Sequence, residues 1–535
     1  MYLRSDEREL GKENFLAAIG SKPVRREFLD KGIRQGLNLR NGLGGHYFKY
    51  EKVTEPLRVG VIGAGEQGRR LIAAINPAYI AVKSVADLRP SNLRQAVTGN
   101  EVVPLTAEEK KEIDKLPLSA EEKKIKKAAL KPDPKTGLVN VYKAKKEDFK
   151  TYATYKELLD KAKDDGLEAV IIALPSHLHA IVALAAMDAG LHVFTETPMA
   201  LTVKDAKALA RKAEDKKVCL AVGNQRRYSA MYDNALEMVR KGVLDDVHYI
   251  RAQWHLKDEK NPPVPKDDAA VKAKDHGYAS VEELVYWRQW EKLSGGMIMD
   301  LGYHLFDAAA MIMAATPNRN PEQSYPLSVT ATASQLSPHN EGDVDDHVYC
   351  VFEYPVKDYV EKGPQKTRKK VGLQYDLIVG NEFDGYGETV LGKVGSLVLD
   401  REQVGLLYRT SDTDKKTRVT LPARKDAAGK PLPEKIVLDV PKDAPRAGDE
   451  ESAAIGQMAM FGTDPGFVAE LEHWAFCVRN PESKPRCDAL TGLAATVVAA
   501  AAVQAVKTGK RIDFQKEWFD PKSDAAPDAK DAKPA

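Results

Sequence analysis

The chain is poor in cysteine. Four in 535 residues, Cys219, Cys350, Cys477 and Cys487, are too few and too scattered for a disulfide framework. None has C-x-x-C spacing, and no other ligand cluster is evident, so no metal is expected. Charge of one sign is lacking too. Lys and Arg number 80 against 78 Asp and Glu, a net charge of +2 at a pI near 8.0, which gives no basic field for nucleic acid. Long apolar runs are missing as well. The alanine-rich stretch from Leu493 to Val506 is broken by Thr496 and Gln504, short of the ~18 continuous apolar residues of a membrane span, and it reads as a packed helix. Neither nucleic acid nor membrane is therefore expected as a partner. What remains is an ordinary globular composition, 43% hydrophobic, in a chain too long for one core.

Residues 1–52 form a polar, basic arm. Val24 to Lys31 holds Arg25-Arg26 and resembles a twin-arginine export signal, but such a signal needs an apolar block next. Gly32 to Arg40 supplies two arginines instead. The favoured reading is a solvated arm on a cytoplasmic protein. The alternative is a degenerate signal on a periplasmic one.

The informative stretch is Leu57 to Gly68. An apolar run, Leu57 to Ile62, stops at Gly63-x-Gly65-x-x-Gly68, and Arg69 to Ile75 reads as a helix. In a strand–turn–helix of this kind the first glycine permits the bend, the second lets a pyrophosphate approach the backbone, and the third lets helix pack on strand. The phosphates would sit on free N–H groups at the helix N-terminus. A second apolar run, Ile80 to Ala86, ends in Asp87, at the distance where a carboxylate can take a ribose 2′-hydroxyl.

Residues 100–150 change character. Thr106 to Lys131 is rich in Glu and Lys, with Leu116-Pro117 breaking it, and reads as a charged surface insertion. Beyond it, apolar strands at Glu168–Leu174, Leu191–Thr195 and Val218–Val222 alternate with helices, as a doubly wound parallel sheet requires. Ligands bind such sheets beyond the carboxyl ends of the strands, here Leu174-Pro175, Glu196-Thr197-Pro198 and Asn224-Gln225. After residue 225 the pattern becomes alternating, at Val247–Trp254, Leu327–Thr332, Asp346–Tyr354, Val371–Val379 and Ser396–Leu399. Longer strands with few helices indicate an α+β domain on a large open, mainly antiparallel sheet. The polar stretch 410–462 reads as an elaboration, Val468–Val478 and Ala489–Val506 as helices, and 516–535 as a disordered tail. The expected organisation is thus an arm (1–52), a dinucleotide-binding α/β domain (53–224), a second domain for substrate and oligomerisation (225–515), and the tail.

Gly295 to Asp307 is the second informative stretch. On a helix, Asp300, His304 and Asp307 share one face amid Leu301, Leu305 and Phe306. A nicotinamide enzyme oxidising an alcohol needs a group to take the hydroxyl proton. A histidine oriented by a carboxylate suits that task near neutral pH. A satisfied buried Asp–His pair accounts for the spacing equally well.

Together these motifs resemble the Gfo/Idh/MocA oxidoreductases, named for glucose–fructose oxidoreductase and inositol dehydrogenase. The shared features are the glycine fingerprint, Pro175 with His179, the Glu-Lys-Pro motif at Glu196-Thr197-Pro198, the arginine–aromatic pair Arg227-Tyr228, and Gly295 to Asp307. The resemblance runs from about 57 to 515. It implies a Rossmann domain in which Gly63, Gly65, Glu66, Gln67 and Gly68 hold the pyrophosphate. It implies that Asp87 takes the adenosine ribose and favours NAD, with Arg89 leaving room for NADP. Leu174, Pro175, His179, Glu196 and Gln225 would complete the cofactor site. Asp300 and His304 would face the substrate, His304 as acid/base, and Arg227 and Tyr228 would shape a sugar pocket. A homo-oligomer, dimer or tetramer, is expected through the open sheet.

One position departs. The family lysine is Thr197 here, which offers a hydroxyl and no charge. Three readings follow. The first is an NAD(P)-dependent dehydrogenase acting on a secondary hydroxyl of a sugar, cyclitol or polyol. The second is an NAD-retaining glycosidase or lyase working by oxidation and elimination. The third is a non-catalytic ligand-binding protein. Trp287, Arg288 and Trp290 are candidates for sugar contact or for a packed aromatic loop.

Overall fold

The computed structural model describes residues 53–99, 136–258, 260–336, 342–360, 366–402, 404–409 and 466–528. The N-terminal arm with Arg25-Arg26, the Glu/Lys-rich part of the insertion and the 410–462 elaboration lie outside them.

The first sheet is built from β1 (Leu57–Ile62), β2 (Ile80–Ala86), β3 (Lys150–Tyr152), β4 (Ala169–Ile172), β5 (His192–Thr195) and β6 (Leu220–Val222). Its order is β3-β2-β1-β4-β5-β6 and all pairs are parallel. Helices cover both faces, which is why β4 reads Ala-Val-Ile-Ile with every residue buried. The chain reverses direction across the sheet between β1 and β4. The crevice at that switch point is where such sheets bind ligands, and the glycine turn after β1 opens into it.

The second sheet adds β7 (Val247–Leu256), β8 (Ser328–Ser334), β9 (His347–Pro355), β10 (Lys370–Val379), β11 (Tyr386–Gly392), β12 (Gly395–Asp400), β13 (Val404–Arg409) and β14 (Ile512–Asp513). Its order is β13-β12-β11-β7-β10-β9-β8-β14. Among the described residues only β7–β10 is a parallel pair, so the sheet is mainly antiparallel. One face buries Phe352, Leu373 and Tyr375 against Phe306 of the helix Tyr303–Ala315. The helix Ala489–Thr508 packs between β8 and the helix Val203–Lys216, so a single apolar core runs through both sheets. Both Glu291–Ala315 and Ala489–Thr508 are long and apolar enough to cross a membrane, and both are mostly buried inside the fold, as core helices are.

Two expectations need correction. The insertion does not extend to residue 150. The helix Leu138–Tyr142 buries Leu138, and the Tyr142 hydroxyl accepts from Val82 N and donates to Ile80 O at 3.0 and 2.9 Å, closing the edge of β2. Nor is the tail disordered from 516. Lys516–Phe519 forms a 3₁₀ turn, and Lys207 Nζ donates to the carbonyls of Glu517, Ser523 and Ala525 at 2.7–2.9 Å. Asp528 caps Val203 N at 3.0 Å. The Ala/Asp/Lys/Pro composition suggested solvation, but the order comes from carbonyl groups, which side-chain composition does not reveal.

Candidate active site

The carboxyl ends of β1, β2, β4 and β5 face the second domain across a cleft of about 2200 Å³. That exceeds an ordinary small-molecule site and leaves room for a dinucleotide and a second ligand.

The glycine turn is built as its residues require. Gly63 has φ +93°, and a Cβ there would lie 2.3 Å from Ala173 O; a Cβ on Gly68 would lie 2.1 Å from Gly63 O. Gly65 differs: an added Cβ would meet only Asn92 Nδ2, at 4.0 Å, and would project into open space. The helix Glu66–Ala74 starts directly after Gly65 with no side-chain cap. Its first N–H groups are thus left for an anionic ligand, and the cradle fits a pyrophosphate. Glu66 and Gln67 turn their side chains elsewhere. Glu66 pairs with Arg70 at 3.1 Å, and Gln67 Nε2 donates to Glu196 Oε1 at 2.7 Å, so their use to a phosphate lies in the backbone.

Asp87 closes the β2 end. Its carboxylate accepts from Ala64 N at 2.7 Å, Arg89 N at 2.8 Å and Asn92 Nδ2 at 3.2 Å. Burial pushes its pKa up, and these donors oppose that. At the β4 end, Leu174 and Pro175 line the cleft. His179 lies beneath them with Nε2 at 2.7 Å from Leu174 O and Nδ1 at 2.8 Å from Pro198 O. Burial lowers its pKa while the two carbonyls raise it.

Glu196 and Thr197 end β5. The Glu196 carboxyl lies against Gly223, where a Cβ would stand 2.6 Å from its Oε2. Burial raises its pKa from 4.5 to about 7, with Gln67 and Thr197 N as the main opposing bonds. Thr197 Oγ1 lies 3.1 Å from His304 Nε2. The peptide Thr197–Pro198 is cis. Burial, with a smaller contribution from the Arg226 cation, lowers the His304 pKa to about 3, so this imidazole is neutral at physiological pH.

Asp300 and His304 do not sit on a plain α-helix. Ile298–Gly302 makes a π-helical turn, and the α-helix begins at Tyr303. Both residues line the cleft; Asp300 accepts from Arg288 Nε at 3.0 Å, and the Arg288 guanidinium stacks 4.3 Å over Trp287. The third residue of the expected stripe faces elsewhere. Asp307, 4% exposed, takes Arg227 through Nε and Nη2 at 2.5–3.1 Å. A buried carboxylate demands a counter-charge, so Arg227 serves Asp307 and does not line the cleft. Tyr228 reaches the cleft with its hydroxyl 3.1 Å from His473 Nδ1 and accepting from Arg486 N. Gln225 lines the same wall, its amide 3.4 Å from Glu402.

Sequence reasoning missed the aromatic floor. Trp254 of β7 and Tyr386 of β11 stack at 4.7 Å, and Trp254 lies 6.2 Å from the His304 ring. Arg226 lies beneath, fully buried, bonded to Glu388 at 2.7 Å and Glu402 at 2.9 Å. The alternation of β7 marked Trp254 as a strand residue. Nothing local tied it to Tyr386, 132 positions on.

Comparison with known proteins agrees with the two-domain fold. Residues 57–224 match the Gfo/Idh/MocA oxidoreductase family, NAD-binding Rossmann fold, and residues 232–357 match the GFO/IDH/MocA C-terminal domain. The chain is 23% identical over 209 residues to scyllo-inositol 2-dehydrogenase (NADP(+)) IolW of Bacillus subtilis, covering 39% of this chain and 49% of that one. It is 24% identical over 168 residues to myo-inositol 2-dehydrogenase of Thermotoga maritima, 31% and 42% of the two chains. These alignments span about half the length of the curated relatives or less. Among solved structures, an inositol dehydrogenase homologue from Azotobacter vinelandii, complexed with NADH and myo-inositol, superposes with TM-score 0.53 at 16% identity, over 86% of this chain and 98% of that one. With one profile matching each sheet domain in order, the chain belongs to the Gfo/Idh/MocA family of NAD-binding oxidoreductases.

Proposed function

We propose that the protein is an NAD(P)-dependent dehydrogenase acting on a secondary hydroxyl of a sugar, cyclitol or polyol. The observation that carries this is the pairing of Thr197 with a neutral, half-buried His304 that lines the cofactor cleft. Bound at the glycine cradle, NAD would supply the hydride-accepting nicotinamide. The protein's part is to hold the substrate and move one proton. With His304 Nε2 unprotonated, the Thr197 hydroxyl donates to it and offers its own lone pair to the substrate hydroxyl. As hydride leaves the substrate carbon, the hydroxyl proton passes to Thr197 Oγ1 and the threonine proton to His304 Nε2. Asp300 and Arg288 offer an acceptor and donors to neighbouring hydroxyls, and the Trp254–Tyr386 face suits the apolar side of a sugar ring.

The experiment is incubation of the purified protein with NAD or NADP and a panel of sugars and polyols, following reduced nicotinamide by absorbance. Reduction by at least one of them, lost in His304→Ala, is expected. No reduction with any member counts against the reading. Thr197 in the lysine position also favours a second reading, glycoside cleavage with retained cofactor; it predicts nucleotide that survives purification and cleavage without net NADH.

A further inference from the structure

The family fold leaves open which nucleotide this chain prefers, and the IolW relative is named for NADP(+). The answer sits partly outside the Rossmann domain. Between β7 and the π-turn, the second domain sends a segment back over the β2 end of the cleft. Its 3₁₀ turn, Lys266–Asp268, carries two successive carboxylates. Asp268 is fully buried and accepts from Arg89 Nε at 2.8 Å, Ser91 N at 3.0 Å and Ser91 Oγ at 2.7 Å. Asp267 pairs with Arg94, on the helix Pro90–Thr98. Arg69, the third cation at this end, is bonded to Ala64 O at 2.9 Å and Asn92 Oδ1 at 3.1 Å.

We propose that Asp268, contributed by the second domain, commits the protein to NAD by sequestering Arg89, the cation a 2′-phosphate would need. A 2′-phosphate binds where an arginine fork is free to meet it. Here the Nε edge of Arg89 is spent on a carboxylate. With Asp87, Asp267 and Asp268 set against Arg69, Arg89 and Arg94, the corner carries no net charge to attract a dianion. A phosphate ester entering it would instead face Asp87 at close range. Asp268 is thus a positioning residue whose effect is exerted through Arg89.

The proposal rests on nucleotide binding in this cleft, and titrating NAD and NADP into the full chain by calorimetry separates the two. Wild type is expected to bind NAD at least tenfold more tightly than NADP. Asp268→Asn should narrow that ratio at least tenfold through tighter NADP binding, and Asp268→Asn with Arg89→Gln should lose the gain. Arg89→Gln alone keeps an N–H for Asp268 and should leave NADP affinity within about threefold of wild type; it also serves if Asp268→Asn does not fold. Wild-type preference for NADP, an unchanged ratio in Asp268→Asn, or a tenfold loss of NADP affinity in Arg89→Gln would each overturn the proposal. Wild type binding neither nucleotide would overturn the cofactor reading beneath it.

Discussion

Thr197 Oγ1 and His304 Nε2 stand 3.1 Å apart across the interface between the two domains. The residue that replaces the family lysine is therefore a direct hydrogen-bond partner of the candidate base. Thr197→Val keeps the shape and removes the hydroxyl. Turnover should fall roughly 10²–10⁴-fold, the scale of a lost proton-transfer group, while NAD affinity stays unchanged. Steady-state kinetics beside a nucleotide titration measure both, and an unchanged kcat would remove Thr197 from the proton path.

His304→Asn should cost roughly 10²–10⁴ in kcat and leave nucleotide binding intact. Because the His304 pKa is lowered to about 3, wild-type kcat should show no inflection from this group between pH 5 and 8. An acidic limb in that range which disappears in His304→Asn would contradict the assignment of a neutral imidazole.

Glu196 makes the opposite prediction for stability. Its pKa rises from 4.5 to about 7 on burial, so the folded state holds this proton more tightly than the unfolded chain. The associated stability is fully present below pH 4.5 and lost as pH climbs through 7. The shift corresponds to about 3 kcal/mol. Denaturant unfolding of Glu196→Gln should show a flatter pH dependence across that window, and curves parallel to wild type would rule the shift out.

The two cleft glycines should separate fold from binding. Gly63→Ala meets Ala173 O at 2.3 Å with φ +93°, and strain of this kind costs about 1–3 kcal/mol before the clash is counted. Gly65→Val has room on the protein side and should keep its melting temperature while NAD affinity drops tenfold or more. Calorimetry of both variants checks the contrast; tight NAD binding by Gly65→Val would place the pyrophosphate elsewhere.

Ending the chain at residue 515 removes all three carbonyls that hold Lys207. Lys207 is 1% exposed in the full chain, and losing these charge-assisted bonds should cost about 1.5–3 kcal/mol, with the loss of the buried Trp518 in addition. Lys207→Met in the full chain, which removes the donor and keeps the tail, should lose a similar hydrogen-bond contribution. Equal stability of the shortened and full chains would show the contact to be inert.

Much of the fold was legible because it rests on local patterns. Leu57–Ile62, Gly63–Gly68 and the β4 run Ala-Val-Ile-Ile carry their structure in their own spacing, and β7, β9 and β10 in their alternation. β11 and β13 escaped because glycines at 387, 392 and 405 interrupt the pattern and their pairing is supplied by neighbours. The corner of the site formed by Gly63, Asp87 and Glu196 was readable from strand ends. The Arg227–Asp307 pair was not, since a helical period assigns Asp307 a face but does not say which cation waits there. Trp254 with Tyr386 and Asp268 with Arg89 are meetings of residues more than a hundred positions apart, and no local rule reports them.

The helix Phe467–Arg479 buries Phe467, Leu471 and Trp474 in the same cluster as Val59, Val61 and Ile80 of the first sheet, and Lys207 waits for residues 517–525. The nucleotide-binding domain leaves the ribosome before these segments, and its interior is finished by residues synthesised more than two hundred positions later. During translation it must therefore persist as an incomplete body with a bare apolar face. Burial of that face should be completed only when Phe467–Arg479 arrives.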